Sequence, residues 1–473
     1  MKKYSSLKGI QALISQKQLT LPDLLAYYFK QIKENEHLNA FNEVFFYSAE
    51  VQAKAVQQKI EEGNAGKLAG MVIGIKDNIC YKDHIVTASS KMLDGFVSPY
   101  SATVVQRLLQ EDAVIIGRLN CDEFAMGGSN ETSYFGTVKN AVNPDLVPGG
   151  SSGGSAVAVQ ADMCLAALGT DTGGSVRQPA AFCGQIGLKP TYGRISRYGV
   201  IAYASSFDQV GPITSSVEDA ALLLEVLAGA DENDSTVSPL DVPAYSANLN
   251  QLEPKRIAVL KETMESEALD PEIKSAILES IESLKAQGHV IDYVSFDLLD
   301  YLVPAYYILT TAEASSNLSR YDGVHYGHRN AEAKSLTELY KLSRAEGFGE
   351  EVKRRILLGT FVLSAGYYDA YYQKAQQVRR LIREKLDVLF QDYDLILLPV
   401  APTPPFKIGD NMQDPLVMYM ADIFTVLPSL SGNPAIALPI GNNKANLPLS
   451  IQFIAKHFEE AQLLAFSQAF LSL

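Results

Sequence analysis

Residues 149–180 read GGSSGGSAVAVQADMCLAALGTDTGGSVRQPA, in which two glycine- and serine-rich segments flank an apolar run. Between Gly127 and Gly193 the chain has 13 glycines in 67 residues, against 33 in all 473. Such density is typical of flexible linkers, but the helix-like apolar run Ala156–Leu168 argues against a solvated linker. The first segment lacks the GK[ST] ending of a phosphate-binding loop, which argues against a nucleotide site. We therefore interpret the glycines as places where backbone approaches a reacting group closely.

The second glycine-rich segment has the composition of an oxyanion hole beside a nucleophile. In this segment Thr172, Gly173 and Gly174 precede Ser175. Glycines permit backbone conformations in which successive amides converge on one oxygen. The pattern therefore predicts Ser175 as the nucleophile and the three preceding residues as its oxyanion hole.

A serine hydroxyl needs a base, and the chain offers two kinds. None of its six histidines lies in a segment typical of serine hydrolases, so a Ser-His-Asp triad stays open without support. A buried lysine can serve instead, because burial lowers its pKa. Lys76 follows the apolar strand pattern Met71–Ile75, at the kind of strand end where α/β proteins place their sites.

Taken together, these segments resemble the amidase signature family. The segments that carry the resemblance are Lys76–Asn78, Gly149–Ser155, Gly169–Ala180, Cys183–Gly184 and Gly187–Thr191. The resemblance implies a Ser-cis-Ser-Lys triad, in which Ser175 attacks an amide, Ser151 bridges, and Lys76 is the final base and acid. A bridging serine is chemically reasonable, because a hydroxyl can accept one proton while donating another. We expect Asp171 and Arg177 to have structural roles.

Further segments resemble one branch of that family, the A subunits of bacterial aspartyl/glutamyl-tRNA amidotransferases. They are Asn120–Ser133, Tyr321–Val324, Glu351–Thr360 and Gly366–Tyr372. The resemblance implies a glutaminase that passes ammonia to a B subunit, which uses ATP and Mg²⁺ to activate misacylated tRNA, while a small C subunit completes a heterotrimer. No cofactor or metal is expected on this chain. A stand-alone amidase for small amides remains the alternative, and a catalytically idle scaffold is disfavoured by the complete triad.

Glutamine as a substrate requires a cation for its α-carboxylate and an anion for its α-ammonium. By the family match, Arg355 would bind the carboxylate and Asp422 the ammonium. Arg355 also fits a solvated helix face, because it follows two other cations. Tyr306 and the backbone from Met126 through Gly127, Gly128 and Ser129 are further expected to line the pocket.

Alternating helix and strand patterns predict an α/β fold. The resemblance implies a central mixed, largely parallel sheet flanked by helices in a single domain over 1–473, with N-terminal helices in 1–65 packing on a triad-bearing core at 66–220. Predicted helices cover 19–34, 43–62, 103–112 and 271–288. Predicted strands cover 68–75, 114–117, 256–260, 290–296, 395–400, 436–440 and 449–454.

Charge and cysteine content exclude some classes of protein. The chain has 40 Lys+Arg against 54 Asp+Glu, a formal net charge of −14, which argues against direct gripping of nucleic acid. We therefore expect tRNA to be held mainly by the partner subunit. Its four cysteines are spaced too widely for a CxxC metal site. With no long apolar run, the sequence predicts a cytoplasmic protein without membrane contact.

Overall fold

The computed structural model describes residues 3–249, 253–410 and 415–472. Its centre is an eleven-stranded sheet with the order β1-β3-β2-β4-β6-β5-β10-β11-β9-β7-β8. The strands are β1 (Phe41–Val44), β2 (Val72–Lys76), β3 (Val114–Leu119), β4 (Ala166–Asp171), β5 (Ile186–Lys189), β6 (Gln209–Thr214), β7 (Arg256–Leu260), β8 (Val290–Val294), β9 (Leu395–Pro399), β10 (Ala435–Asn442) and β11 (Pro448–Ala455).

The sheet is mixed, as predicted. Parallel pairing joins β2 to both β3 and β4, and joins β7 to both β8 and β9. Antiparallel pairing connects these two blocks through β6, β5, β10 and β11, and adds β1 at one edge. Because β2 and β4 are parallel neighbours, with Ile75 opposite Leu168, their carboxyl ends lie at the same edge of the sheet. The residues at these two ends, Lys76 and Asp171, are thereby brought to one place.

Helices cover the sheet. They are α1 (Leu7–Ser15), α2 (Leu21–Glu34), α3 (Phe46–Glu62), α4 (Thr103–Gln110), α5 (Gly153–Gln160), α6 (Arg177–Phe182), α7 (Val217–Leu227), α8 (Lys261–Glu265), α9 (Pro271–Ala286), α10 (Leu299–Asn317), α11 (Leu336–Gly347), α12 (Glu350–Val362), α13 (Lys374–Asp392), α14 (Pro415–Met420), α15 (Val426–Ser431) and α16 (Glu460–Phe470). None of them, within the described ranges, has the length and apolar character needed to span a bilayer.

The first helices pack on the body of the fold. The amide of Leu7, at the start of α1, donates to both carboxylate oxygens of Asp219 on α7, at 3.1 and 3.2 Å. One continuous cluster of buried apolar side chains extends from Tyr4 to Phe470. Burial of this apolar surface is the main favourable term in folding. The single-domain division itself stays a prediction.

Three segments differ from the sequence-based prediction. The strand expected over 68–75 begins only at Val72 and ends at Lys76. Residues 43–62 were expected to be one helix, but β1 occupies Phe41–Val44 before α3 begins at Phe46. The run Ala156–Leu168 was expected to be helical throughout, but α5 ends at Gln160 and β4 begins at Ala166. All six residues of β4 are buried, so neither face of the strand meets solvent. A strand buried on both faces lacks the alternation that distinguishes it from a buried helix.

Candidate active site

Lys76 ends β2 with its side chain completely buried. Its Nζ lies 2.7 Å from Ser151 Oγ, 2.9 Å from Ser152 Oγ and 3.4 Å from the carbonyl oxygen of Thr170. Burial lowers the pKa of Lys76 from 10.5 to about 8, although nearby acidic groups, among them Asp122, act in the opposite direction. The predicted base is thus in contact with the predicted bridging serine and loses its proton at a lower pH than an ordinary lysine does.

Two serine-bearing loops meet above Lys76. Ser151 follows a cis peptide bond with Gly150, just before α5. The amide of Ser152 donates to the carbonyl oxygen of Ser175 at 3.2 Å, which holds the two loops side by side. Ser151 has no exposed surface, whereas Ser175 is 8% exposed. Of the three predicted catalytic residues, therefore, the nucleophile alone can be reached by a substrate.

Asp171 organises the turn that carries Ser175. Its carboxylate accepts the amides of Gly174 at 2.9 Å and Val176 at 3.2 Å. Arg177 donates to both carboxylate oxygens, from Nε at 3.0 Å and from Nη2 at 2.9 Å. Burial would raise the pKa of Asp171, but the Arg177 guanidinium outweighs it and the pKa is lowered. Both residues have the structural roles expected of them.

The predicted oxyanion hole needs one correction. The Gly174 amide donates to Asp171, so it is turned away from an incoming oxyanion. The amides of Thr172 and Gly173 have no acceptor among the described residues. The Thr172 hydroxyl donates to Asp208 at 2.7 Å, which fixes this backbone. These two amides can serve an oxyanion, since pre-aligned N–H groups are what such a site requires.

Arg355 lies in a cage of tyrosines. Its guanidinium carbon lies 5.5, 5.4 and 5.5 Å from the ring centroids of Tyr203, Tyr307 and Tyr419. Its Nε donates to Glu351 at 2.8 Å, and its Nη1 donates to the Tyr203 hydroxyl at 3.0 Å. The side chain is 4% exposed, so the alternative of a solvated helix face is wrong. A guanidinium held this way is prepared to bind a carboxylate.

Asp422 is tied to the same cage. Its carboxylate accepts a hydrogen bond from the Tyr307 hydroxyl at 2.9 Å. Desolvation raises the pKa of Asp422 to about 7, against the opposing effects of Tyr307 and Arg355. An incoming ammonium would favour its ionised form. The two groups predicted for the two charges of an amino acid thus share Tyr307 as a neighbour.

A cavity of about 260 Å³ lies beside this cage. Its lining comprises Glu123, Gly127, Gly128, Ser129, Thr132, Tyr307, Gly349, Glu350, Glu351, Arg354, Arg355, Met418 and Tyr419. Four of the predicted substrate-binding residues line this cavity, namely Gly127, Gly128, Ser129 and Arg355. A larger groove of about 610 Å³ along β1 contains none of them.

Tyr306 has a different place from the one predicted. It does not line the cavity, and its neighbour Tyr307 does. A Cβ atom added to Gly173 would overlap the Tyr306 hydroxyl. Tyr306 therefore packs against the glycine turn beside Ser175. Since Tyr306 and Tyr307 are adjacent on α10, they connect the triad to the cavity.

Sequence reasoning missed several residues of the site. Ser152 is a second hydroxyl on Lys76, and Asp208 holds Thr172. Thr425 packs so closely on Gly174 that a Cβ there would overlap its hydroxyl. Glu123 lines the cavity and lies within the quoted segment Asn120–Ser133. Ser152 likewise lies within the family-like segment Gly149–Ser155, whereas Asp208 and Thr425 lie in no segment that carried the resemblance.

The arrangement can transfer an acyl group from an amide to a hydroxyl. It combines a reachable serine, a neighbouring loop whose Ser151 hydroxyl contacts a lysine of lowered pKa, and two amides beside the nucleophile without an acceptor among the described residues. Together these are the components of nucleophilic catalysis with general acid and base assistance.

Comparisons with known proteins agree with this geometry. The family model described as Amidase matches residues 23–464. The A subunit of the glutamyl-tRNA(Gln) amidotransferase of Koribacter versatilis is 49% identical over 96% of this chain and 95% of its own length. The corresponding A subunit of Prosthecochloris aestuarii is 48% identical over 98% of each chain.

Solved structures show the same relationship. The crystal structure of the glutamyl-tRNA(Gln) amidotransferase A subunit from Thermotoga maritima superposes with a TM-score of 0.79 at 37% identity, over 98% of this chain and 93% of the other. The peptide amidase of Stenotrophomonas maltophilia has a TM-score of 0.83 at 27% identity, over 99% and 97% of the two chains. The chain therefore belongs to the amidase signature family and, within it, to the group of glutamyl-tRNA(Gln) amidotransferase A subunits.

Proposed function

We propose that this chain is the glutaminase component of a tRNA-dependent amidotransferase. It hydrolyses glutamine and supplies ammonia for the conversion of Glu-tRNA(Gln) to Gln-tRNA(Gln), or of Asp-tRNA(Asn) to Asn-tRNA(Asn). The observation that carries the proposal is the placement of Arg355 and Asp422 around Tyr307, next to a lysine-serine relay. A neutral small amide would need neither charge, whereas a free amino acid needs both.

In the first half-reaction, neutral Lys76 accepts the proton of Ser151 while Ser151 accepts that of Ser175. The Ser175 oxygen forms a bond to the carboxamide carbon, and the amides of Thr172 and Gly173 stabilise the oxyanion. The carbon–nitrogen bond then breaks. Ser151 donates its proton to the leaving nitrogen, and Lys76 returns a proton to Ser151. Ammonia and a γ-glutamyl ester of Ser175 result.

In the second half-reaction, water attacks the ester carbon. The relay removes one proton from this water and returns it to the Ser175 oxygen as the ester bond breaks. The product leaves as glutamate after its new γ-carboxyl group releases a proton to solvent, and the triad regains its starting protonation. Because Ser151 has no exposed surface, it exchanges protons with its neighbours in the site and not directly with bulk water.

The name shared by the relatives supports an assembly with other subunits. We propose a heterotrimer with B and C subunits in the cytoplasm, in which the B subunit receives the ammonia and uses ATP and Mg²⁺ on the charged tRNA. This chain then needs no cofactor of its own. Its net charge of −14 fits a division of labour in which the partner holds most of the tRNA.

The test is the Ser175→Ala variant in the reconstituted complex. Glutamine-dependent amidation should be lost, while amidation with free ammonium should persist. Ser467→Ala is a matched control, because Ser467 is a buried serine whose hydroxyl donates to a main-chain carbonyl on α16. Full glutamine-dependent activity in Ser175→Ala would refute the nucleophile. Preference of the wild type for neutral amides over glutamine would favour the stand-alone amidase instead.

A further inference from the structure

Glu123 links two chain segments that line the cavity containing Arg355. Its side chain is 3% exposed and lines this cavity. One carboxylate oxygen accepts the Gly349 amide at 2.8 Å, and the other accepts the Ser90 hydroxyl at 2.5 Å. Gly349 is the N-cap residue of α12, the helix that carries Arg355. Glu123 itself begins the short segment that leads to Gly127–Ser129, which also line the cavity.

The fit around this carboxylate is tight. A Cβ atom added to Gly349 would overlap Glu123 Oε2, so a larger residue there would displace this carboxylate. A negative charge at this point also meets the positive end of the dipole of a thirteen-residue helix. The contact between the Glu123 carboxylate and the N-terminus of α12 therefore fixes the position of both groups.

The backbone beside the contact is strained. Phe124 and Ala125, which follow Glu123, have φ values of 50° and 60°. Ala88 and Ser89, which precede the serine that bonds Glu123, have φ values of 48° and 51°. The Phe124 amide donates to the Ala88 carbonyl at 2.8 Å, so the two strained turns support each other. Non-glycine residues in this region are costly, and such strain concentrates at functional sites.

The buried charge is also unfavourable for folding. Burial raises the pKa of Glu123 from 4.5 to about 7, opposed by Ser90, Gly349 and the Lys353 ammonium on α12. Because the folded pKa exceeds the unfolded one, the loss of stability begins above pH 4.5 and is complete above pH 7. The other charged groups of the same cavity are Glu350, Glu351, Arg354 and Arg355. Stability alone gives no reason for a carboxylate here.

We propose that Glu123 is a positioning residue that sets the distance between the Gly127–Ser129 loop and Arg355, and thereby the affinity of the site for its amino-acid substrate. The inference rests on the glutaminase function proposed above. It assigns Glu123 no bond to the reacting atoms, so its effect belongs in substrate binding and not in the chemical step.

The test is Glu123→Gln, which keeps the shape and removes one acceptor. We expect the KM for glutamine to rise at least about fivefold and kcat to change less than about twofold, since lost positioning weakens ground-state and transition-state binding alike. Amidation with free ammonium should be unchanged, and Tm should fall by less than about 2 °C, because the buried charge is removed as the bond is lost. Asp219→Asn is the control: this buried carboxylate also accepts from a helix start and has a raised pKa, of about 6, but does not line the cavity.

A second variant tests the same contact without changing charge. Gly349→Ala should raise the KM for glutamine as Glu123→Gln does, and the two effects should not add in the double variant. The positioning role would be refuted by an unchanged KM in Glu123→Gln. It would also be refuted if both variants lowered kcat and Tm to the same extent and these effects added fully in the double variant. Failure of the wild type to hydrolyse glutamine would instead refute the proposed function, before any variant is compared.

Discussion

The protonation of Lys76 should set the pH dependence of glutamine hydrolysis. Its folded pKa of about 8 means that the neutral, proton-accepting form makes up about 1% of molecules at pH 6, about 9% at pH 7 and about half at pH 8. If this form initiates the attack of Ser175, the titration of Lys76 alone should raise kcat/KM for glutamine about tenfold from pH 6 to 7 and about fivefold from pH 7 to 8, and level off above about pH 9.

The assay is the initial rate of glutamate release at low glutamine concentration, across pH 6 to 9.5. Asp422 also titrates, with a pKa of about 7, so its ionisation adds a second, lower step. Asp422→Asn removes that step and should leave the midpoint near pH 8 at a lower overall rate. A profile that is flat between pH 7 and 9 in this variant, or a midpoint near the ordinary lysine value of 10.5, would refute the assignment of Lys76 as the base.

The same shift makes a prediction about stability. A lysine whose folded pKa is lowered destabilises the fold at every pH below that pKa, and the loss is recovered as pH rises from about 8 to 10.5. The linkage amounts to on the order of 3 kcal/mol. Lys76→Met should therefore abolish hydrolysis without lowering Tm at pH 7, even though Ser151 and Ser152 lose a partner. A large fall in Tm would show that the ammonium stabilises the site.

Three further variants test the surrounding residues. Arg355→Ala should lower kcat/KM for glutamine at least tenfold, about 1.4 kcal/mol, and an unchanged value would remove it from the pocket. Gly174→Ala should reduce both activity and Tm, because its φ of +136° is strained for alanine and the new Cβ would overlap the Thr425 hydroxyl; full activity would show that this turn adapts. Asp171→Asn should destabilise the protein by about 3–5 kcal/mol in chemical denaturation, since it leaves the buried Arg177 charge unpaired; a loss below about 1 kcal/mol would contradict that pairing.

Features with a local signal in the sequence were predicted well. Asp270 and Pro271 predicted the start of α9, and Asp270 does cap it, accepting the Glu272 amide at 2.8 Å. The strand Arg256–Leu260 was placed to the residue. Lys76 was placed at a strand end by its apolar neighbours, and the structure agrees. Its pairing with Ser151 came from the family resemblance, since 75 residues separate them and no periodicity relates them.

The remaining site residues depend on contacts that no local pattern encodes. Asp208 reaches Thr172 across 36 positions, and Gly349 reaches Glu123 across 226. Arg355 looks like part of a solvated run because its neighbours are cations, and its burial is produced by tyrosines from three other segments. Sheet order and helix packing create such contacts, so they appear only when the chain is folded.

The exposures of 0% for Lys76 and Ser151 and 8% for Ser175 have a consequence for the chemical form of the product. Because Lys76 and Ser151 have no exposed surface, neither can release a proton directly to bulk water. The proton that Ser175 gives to Ser151 and Lys76 must therefore return by the same path to the departing nitrogen before the next glutamine can react. The nitrogen thus receives one proton and leaves as uncharged NH₃, the nucleophilic form that a downstream acceptor requires. A lower pH would therefore reduce the rate at which NH₃ is released. It would not at first change the released species from NH₃ to ammonium.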